Sequence, residues 1–371
     1  MPVRQRLLMI GEPAPWFTAR STNNANFHFD TIAGRYIVLC FFGSGGMKTS
    51  QRILEDIWSQ RAVFDDQNCC FFGVSVDPED EKQPRIQPHI PGIRFFWDFN
   101  GAISQQYGAI TATGNYRQFT LVLDYSLRVL AVLPFNESPE THVPQLIAFL
   151  AELPPIHSEV PAAVQAPVLV VPRVFEPKLC RALIQFYELH GGEDSGFMRE
   201  VNGRTVPVYD YGHKRRRDQE ITDEELRNAA MHRIYDRLVP EIFKAFQFQA
   251  NRMERHIVAC YDGETGGHFR PHRDNTTKGT AHRCFAVSLN LNTGEYEGGC
   301  LRFPEFGQQT YQPPVGGAIV FSCSLLHEAT PITQGRRYAY LPFLYDQVRA
   351  KVRQANQHLL GSALKEESTK E

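Results

Sequence analysis

The chain changes character at one place. Residues 151–173, "AELPPIHSEVPAAVQAPVLVVPR", are rich in Pro, Ala and Val and carry no amphipathic period, which is the composition of a connection and not of a packed element. Before it, strand and helix signals alternate. After it, from residue 254, short strand-like runs follow one another with turn residues between them. Patterns of these two kinds belong to different layer architectures. The sequence therefore predicts two domains with a boundary near residue 160. One occupies 1–155, a linker follows over 156–172, a second domain spans 173–346, and 347–371 form a helical or disordered tail. A length of 371 residues agrees with two compact units, and no internal repeat relates the halves.

In the first half, "YIVLCFF" (36–42) and "CCFFGVSVD" (69–77) are continuous apolar runs, expected of buried strands. Between them "SQRILEDIWSQRAVF" (50–64) places Ile53 with Ile57 and Leu54 with Trp58 at helical spacing. "FTLVLDYSLRVLAVL" (119–133) predicts a hairpin turning at Tyr125-Ser126. The pattern predicts an α/β layer fold.

The segments "GEPAPWFTA", "YIVLCFFGSGG", "FFGVSVDPEDE", "DFNGAISQQYGA" and "YRQFTLVLD" run in an order and spacing that resembles the peroxiredoxin-type members of the thioredoxin fold, over about residues 8–150. That chemistry needs a thiolate in the first turn of the helix after the "FF" strand. The corresponding text is "GSGGMKTSQ": Ser50 stands at the nucleophile position, and residues 41–68 contain no cysteine. Arg117 matches the family's activating arginine but has no thiol to activate. A serine hydroxyl, with its far higher pKa, cannot replace a thiolate in peroxide reduction. Neighbouring strand residues point to opposite faces, so Cys69 and Cys70 do not form an unstrained disulfide. A thiol peroxidase is thus disfavoured, and this half is expected to be redox-inactive, a docking or dimerisation module for a protein partner or a second copy.

The second half opens with "FEPKLCRALIQFYELH" (175–190), a helix with Pro177 in its first turn and Leu179, Leu183 and Phe186 on one face. "TDEE" predicts a second helix capped by Thr222 with Glu225 completing the box, ending where Pro240 interrupts. "RHIVACYD", "HRCFAVSLNLN", "GGCLRFPEF", "GGAIVFSCS" and "RRYAYLPFLYD" are strand runs spaced as in a sandwich or a double-stranded β-helix (jelly roll), with the helices packed outside.

Within these strands lies "HFRPHRDN" (268–275), dense in potential ligands. His272 and Asp274, at i and i+2, project to one face of an extended backbone. His327 follows 53 residues later, after a strand that an antiparallel roll can bring alongside. Two histidines and a carboxylate with open positions are the facial triad of non-haem Fe(II) oxygenases. Ten residues further, Arg337 offers a planar, permanently charged fork suited to a carboxylate inside a barrel. Adjacent Arg336 competes for that role, but only one of two strand neighbours can point inward. His268 and His282 lie outside the H-x-D positions and are read as ordinary strand residues.

The ordered set "ACYDGETGGHFRPHRDN", "SLNLN", "EGGCLRFPEFG" and "GGAIVFSCSLLHEATPITQGRRYAYL" resembles the prolyl 4-hydroxylase-like branch of the 2-oxoglutarate- and Fe(II)-dependent dioxygenases, over about 250–346. The resemblance implies His272, Asp274 and His327 as iron ligands and Arg337 as the anchor of 2-oxoglutarate. It also implies Tyr261 in the co-substrate pocket and Ser288 as a polar contact to the distal carboxylate. The implied reaction hydroxylates a C–H bond of a prolyl or other peptidyl side chain, or of a small metabolite, and releases succinate and CO₂. Ascorbate is implied as an accessory reductant, marked by no residue. Asp274, where related halogenases carry a small residue, favours hydroxylation. The competing reading is a non-catalytic oxygen or iron sensor docked through the redoxin half.

Charge and composition narrow the partners. A net charge of −2 gives no electrostatic reason to expect nucleic acid or an anionic membrane. The basic run "HKRRRD" (213–218) reads as a solvated loop or salt-bridged edge, or as a rim that could receive an acidic or peptide-like substrate together with Tyr209 and Tyr211. No window has the ~20 apolar residues of a membrane span, and the apolar run before Gly11 is too short for a secretory signal. The expected location is cytoplasmic, where the eight scattered cysteines behave as small buried apolar side chains.

Overall fold

The computed structural model describes residues 6–83, 85–135, 138–156 and 165–361. The chain divides into two compact units, residues 1–160 and 161–371. Much of the expected linker, residues 157–164, lies outside the described residues, as do residues 362–371 of the tail. The Val-rich end of the linker is not loop. Leu169–Val171 forms a strand antiparallel to Ala318–Ser322 and belongs to the second unit's sheet. The tail begins with a helix, Gln347–Asn356.

The first unit is a five-stranded sheet in the order Ile93–Trp97, Cys69–Ser75, Tyr36–Gly43, Phe119–Leu123, Val129–Pro134. The first three strands are parallel and the last two antiparallel to their neighbours. The central strand is apolar throughout because both its faces are covered. Leu39 and Phe41 pack with Phe72 and Phe96 on one side; Val38, Cys40 and Phe42 pack with Phe71, Phe95 and the helix residues Ile53 and Ile57 on the other. That helix spans Lys48–Ser59, shorter than its predicted range, and a 3₁₀ turn at Arg61–Val63 takes up the remainder.

The second unit is a jelly roll of two sheets. The smaller runs Lys214–Arg215, His268–His272, His327–Ala329, Leu301–Arg302, Thr310–Tyr311. The larger runs from Arg252–Glu254 through Phe343–Tyr345, Phe285–Asn290, Ile332–Tyr340 and Ile257–Asp262 to Arg217–Glu220 and Glu193–Asp194. Helices cover its outer face: Leu179 and Leu183, Ile234, Leu238 and Ile242 share one apolar cluster with Val287, Leu289, Tyr338 and Tyr340. Strand alternation then turns Ser288, Asn290 and Arg337 to the inner face. Polar side chains point inward here because the outer face is used for the core.

Two helix boundaries differ from expectation. The second helix, Glu224–Arg233, is capped by Asp223 and not Thr222: the Asp223 carboxylate accepts from Leu226 N at 2.8 Å. Aspartate is the stronger N-cap of the two adjacent candidates, and the cap falls on it. Pro240 does not end the helix either. A π turn at Ile234–Leu238 precedes it, and Pro240 falls in the first turn of Val239–Phe246, where a missing N–H costs little. Among the described residues, no helix is long and apolar enough to cross a membrane.

Candidate metal and co-substrate site

His272 ends one strand of the smaller sheet and His327 begins the next, and the two are direct register partners. Asp274, two residues on, is drawn back by its N–H donating to Cys323 O at 2.9 Å. Its Oδ1 lies 3.5 Å from His272 Nε2 and its Oδ2 3.3 Å from His327 Nε2. One potential ligand atom from each residue falls within 4.8 Å of the others. Each imidazole is oriented in the same way: Nδ1 pairs with the carbonyl two residues earlier, Arg270 O at 2.8 Å and Leu325 O at 2.9 Å. That bond fixes the tautomer and leaves both Nε2 atoms as acceptors toward a common point. Phe269 stacks on His272 with centroids 3.4 Å apart, and Phe321 packs against His327 at 4.5 Å.

The electrostatics suit a divalent cation. Burial, reinforced by the nearby His327, pushes His272 down to about 4, so it is neutral near pH 7. Burial by itself would raise Asp274, but His327 and His272 outweigh it and hold the carboxyl well below its ordinary range. A neutral imidazole and an ionised carboxylate are the forms that bind metal.

Arg337 lies across the cavity, 2% exposed. Its Nη2 donates to Ser288 Oγ at 2.8 Å and to Asn290 Oδ1 at 2.9 Å, and its Nε to Asn290 Oδ1 at 3.2 Å. With those edges occupied, Nη1 is left for a ligand. Arg336 points away, half exposed, and pairs with Asp262 at 2.8 Å. Tyr261 lies beneath the Arg337 guanidinium and accepts from Arg216 Nη1 at 3.3 Å. A cavity is lined by His272, Asp274, His327, Tyr261, Ser288 and Arg337, among others. All six residues singled out in the sequence thus meet at one cavity. His268 and His282 do not join them: the first bonds to Gly266 O and Gly212 O, the second to Glu254.

Residues 256–345 match the family model described as the 2OG-Fe(II) oxygenase superfamily, and residues 10–131 match that of the AhpC/TSA family. The chain carries a 2OG-Fe(II) oxygenase domain. A PKHD-type hydroxylase of Synechococcus sp. (strain JA-2-3B'a(2-13)) is 27% identical over 99 residues, which are 25% of this chain and 43% of that protein. The chain thus spans less than half the length of the curated relatives it matches. Among solved structures, a prolyl hydroxylase of Trichoplax adhaerens, in complex with a hypoxia inducible factor peptide fragment, aligns with a TM-score of 0.39 at 18% identity, over 51% of this chain and 86% of that one. Mycobacterium tuberculosis AhpC aligns with a TM-score of 0.34 at 17% identity, over 39% and 93%.

The oxygenase domain also contains residues that sequence reasoning missed. Asn290 gives Arg337 two of its bonds, and only its place in "SLNLN", one strand alternation from Ser288, marked it. The basic run 213–218 is not a solvated loop. Arg217–Glu220 pairs with Ile257–Asp262, Lys214–Arg215 pairs with His268–His272, and alternation buries Lys214 and Arg216 while exposing Arg215 and Arg217.

In the AhpC/TSA domain the residue at the nucleophile position is sealed in. Ser50 is fully buried, donates to Phe42 O at 2.9 Å and accepts from Gln118 Nε2 at 2.8 Å. Burial pushes the Cys40 and Cys69 thiols up to about 12 and Cys70 to about 11. These are inert thiols. Arg117 is exposed.

Proposed function

We propose that the C-terminal domain is a 2-oxoglutarate- and Fe(II)-dependent dioxygenase that hydroxylates a C–H bond of a peptidyl side chain or small metabolite. Overall, O₂ places one oxygen atom in the substrate as hydroxyl and the other in succinate, and 2-oxoglutarate loses CO₂. The observation that carries this reading is the convergence of His272, Asp274 and His327 on one point, with a buried Arg337 aimed into the same cavity.

The residues fit the groups they would hold. Two Nε2 atoms and one carboxylate supply three ligand atoms on one side of a metal, leaving positions for a chelating co-substrate and O₂. Fe(II) and 2-oxoglutarate, when bound, supply the oxidising power for C–H hydroxylation. The protein's part is positional. Arg337 grips the distal carboxylate of the co-substrate, and Tyr261, Ser288 and Asn290 keep the guanidinium aimed before the ligand arrives. Leu301, Phe321, Ala329 and Pro342 line the cavity with apolar surface that excludes water. The AhpC/TSA half, with Ser50 buried at the nucleophile position, serves as a docking or dimerisation module.

Anaerobic titration of the full chain with Fe(II) and 2-oxoglutarate tests the reading. A charge-transfer band of the chelate is expected, followed in air, with ascorbate as reductant, by succinate release. His272→Ala and Asp274→Ala should abolish both while keeping a cooperative melt. Wild-type protein that binds Fe(II) and 2-oxoglutarate without forming the band would end the proposal.

A further inference from the structure

One carboxylate, Asp218, is shared between two arginines of the cavity wall, with a buried lysine close by. Arg216 Nη2 donates to Asp218 Oδ2 at 2.7 Å, and Arg255 Nη2 donates to the same oxygen at 2.9 Å. Lys214 Nζ bonds Ser195 Oγ at 2.7 Å and Gly196 O at 2.6 Å. Lys214 and Arg216 are both buried, and Arg216 Nε has no hydrogen-bond partner among the described residues. Burial, aided by the Arg216 charge, drives the Lys214 ammonium well below its usual range and favours its neutral amine, so the surplus is that of Arg216 and Arg255 over the single Asp218 carboxylate.

The other cations nearby are accounted for. Arg273 pairs with Glu305 at 2.8 Å, and Arg283 and Arg353 pair with Glu254 at 2.7 and 3.1 Å. At the metal site, the charges of Fe(II), Asp274, a 2-oxoglutarate dianion and Arg337 would cancel. The surplus around Asp218 therefore remains after iron and co-substrate are in place.

The backbone adds an independent sign. Arg255 has φ of 65°, between Arg252–Glu254 and Ile257–Asp262. That left-handed conformation favours glycine or asparagine, and an arginine held there is strained. The turn carries the guanidinium over the Phe343 ring, 5.4 Å from its centroid, to the wall that His272 and Asp274 also line. A turn alone would not require a long cationic side chain.

We propose that Arg255, backed by Arg216, forms an anion subsite beside the metal position, and that the substrate to be hydroxylated carries a carboxylate. The planar guanidinium fork matches a carboxylate in two-point contact. This inference rests on the oxygenase reading above. The carboxylate could belong to a small acid or to an acidic peptide side chain, and the probes below separate the two.

The full chain is first loaded anaerobically with Fe(II) and saturating 2-oxoglutarate. Failure of the charge-transfer band at this stage counts against the oxygenase reading and not against the subsite. The loaded protein is then titrated calorimetrically with acetyl-Glu-amide and acetyl-Gln-amide, and with acetyl-Ala-Ala-Glu-Ala-Ala-amide and its Gln counterpart. At least a tenfold preference for the Glu form is expected in one pair: in the single residue for a small-acid site, in the pentapeptide alone for an acidic peptide. Arg255→Gln should erase that preference and Arg255→Lys should restore part of it, with melting temperatures confirming that both variants fold. Equal affinity for Glu and Gln forms, no binding of any probe, or a preference that survives Arg255→Gln would overturn the subsite.

Discussion

Tyr261 and Arg337 face each other directly across the Ile257–Asp262 and Ile332–Tyr340 strands, with the guanidinium carbon 5.2 Å from the ring centroid. The ring covers one face of the cation while Ser288 and Asn290 hold its edge, so its direction is set by the fold and not by the ligand. Removing one partner of a buried charge pair costs about 2–5 kcal/mol. Arg337→Gln should therefore raise the dissociation constant for 2-oxoglutarate on the order of a hundredfold and leave Fe(II) affinity unchanged. Arg336→Gln, which loses half-exposed pairs with Asp262 and Glu188, should change neither. Calorimetric titration of the two variants separates the neighbours; an unaltered 2-oxoglutarate constant in the first would take the anchor away from Arg337.

Asn290 allows a subtler change. Its Oδ1 accepts both Nε and Nη2 of Arg337. Asn290→Asp keeps those acceptors in place and adds a negative charge, which would neutralise the guanidinium from within. It also removes the Nδ2 donor to Thr293 Oγ1 and Tyr296 Oη, so the melting temperature should fall modestly, while 2-oxoglutarate affinity falls by about tenfold, an effect near 1.4 kcal/mol. Undiminished affinity would mean that the charge of Arg337 does not govern co-substrate binding.

Much of the site is legible in the sequence because strand alternation is a strict rule. Arg336 and Arg337 cannot both point inward; Asp274, by contrast, lies in a turn just past the strand that ends at His272, and the bond from its N–H to Cys323 O, not alternation, brings it to the histidines. The burial of Lys214 and Arg216 is hidden for a complementary reason. Asp218 lies within the run, but Ser195 comes from the loop before Phe197–Val201 and Tyr261 from the Ile257–Asp262 strand, and a basic run judged by hydropathy alone looks solvated until those distant partners are brought to it. Alternation was present in "HKRRRD" as well, but with charges at every position it carried no apolar signal to orient it. The passage of the helix through Pro240 depends on local backbone geometry that residue types do not determine.

Restoring a thiol to the first domain should not restore peroxide reduction. Ser50 is fully buried between Phe42 O and Gln118, and Arg117, the residue matched to the activating arginine, is exposed. A cysteine at this position would be desolvated, like Cys40, whose thiol is pushed up to about 12. Ser50→Cys is expected to consume no peroxide with dithiothreitol as donor, and to react with a disulfide reagent only after denaturation. Rapid labelling of the native variant would show that the position opens to solvent.

Glu254 makes a pH prediction whose sign is fixed by its partners. It accepts from His282 Nε2 at 2.9 Å and Arg283 Nε at 2.7 Å, with Arg353 Nε at 3.1 Å. Burial alone would raise its pKa, but His282 and Arg283 outweigh burial and hold it down to about 2, below its ordinary 4.5. A carboxyl whose pKa is depressed by folding stabilises the native state above its unfolded pKa and loses that contribution as pH falls toward the folded value. The shift corresponds to about 3 kcal/mol. Glu254→Gln should therefore destabilise the second unit by about that amount near pH 6. Urea unfolding of wild type and variant should show the gap narrowing below about pH 4.5 and closing toward pH 2. A gap that stays constant between about pH 6 and pH 3 would mean that Glu254 stabilises the fold through packing and not through its charge.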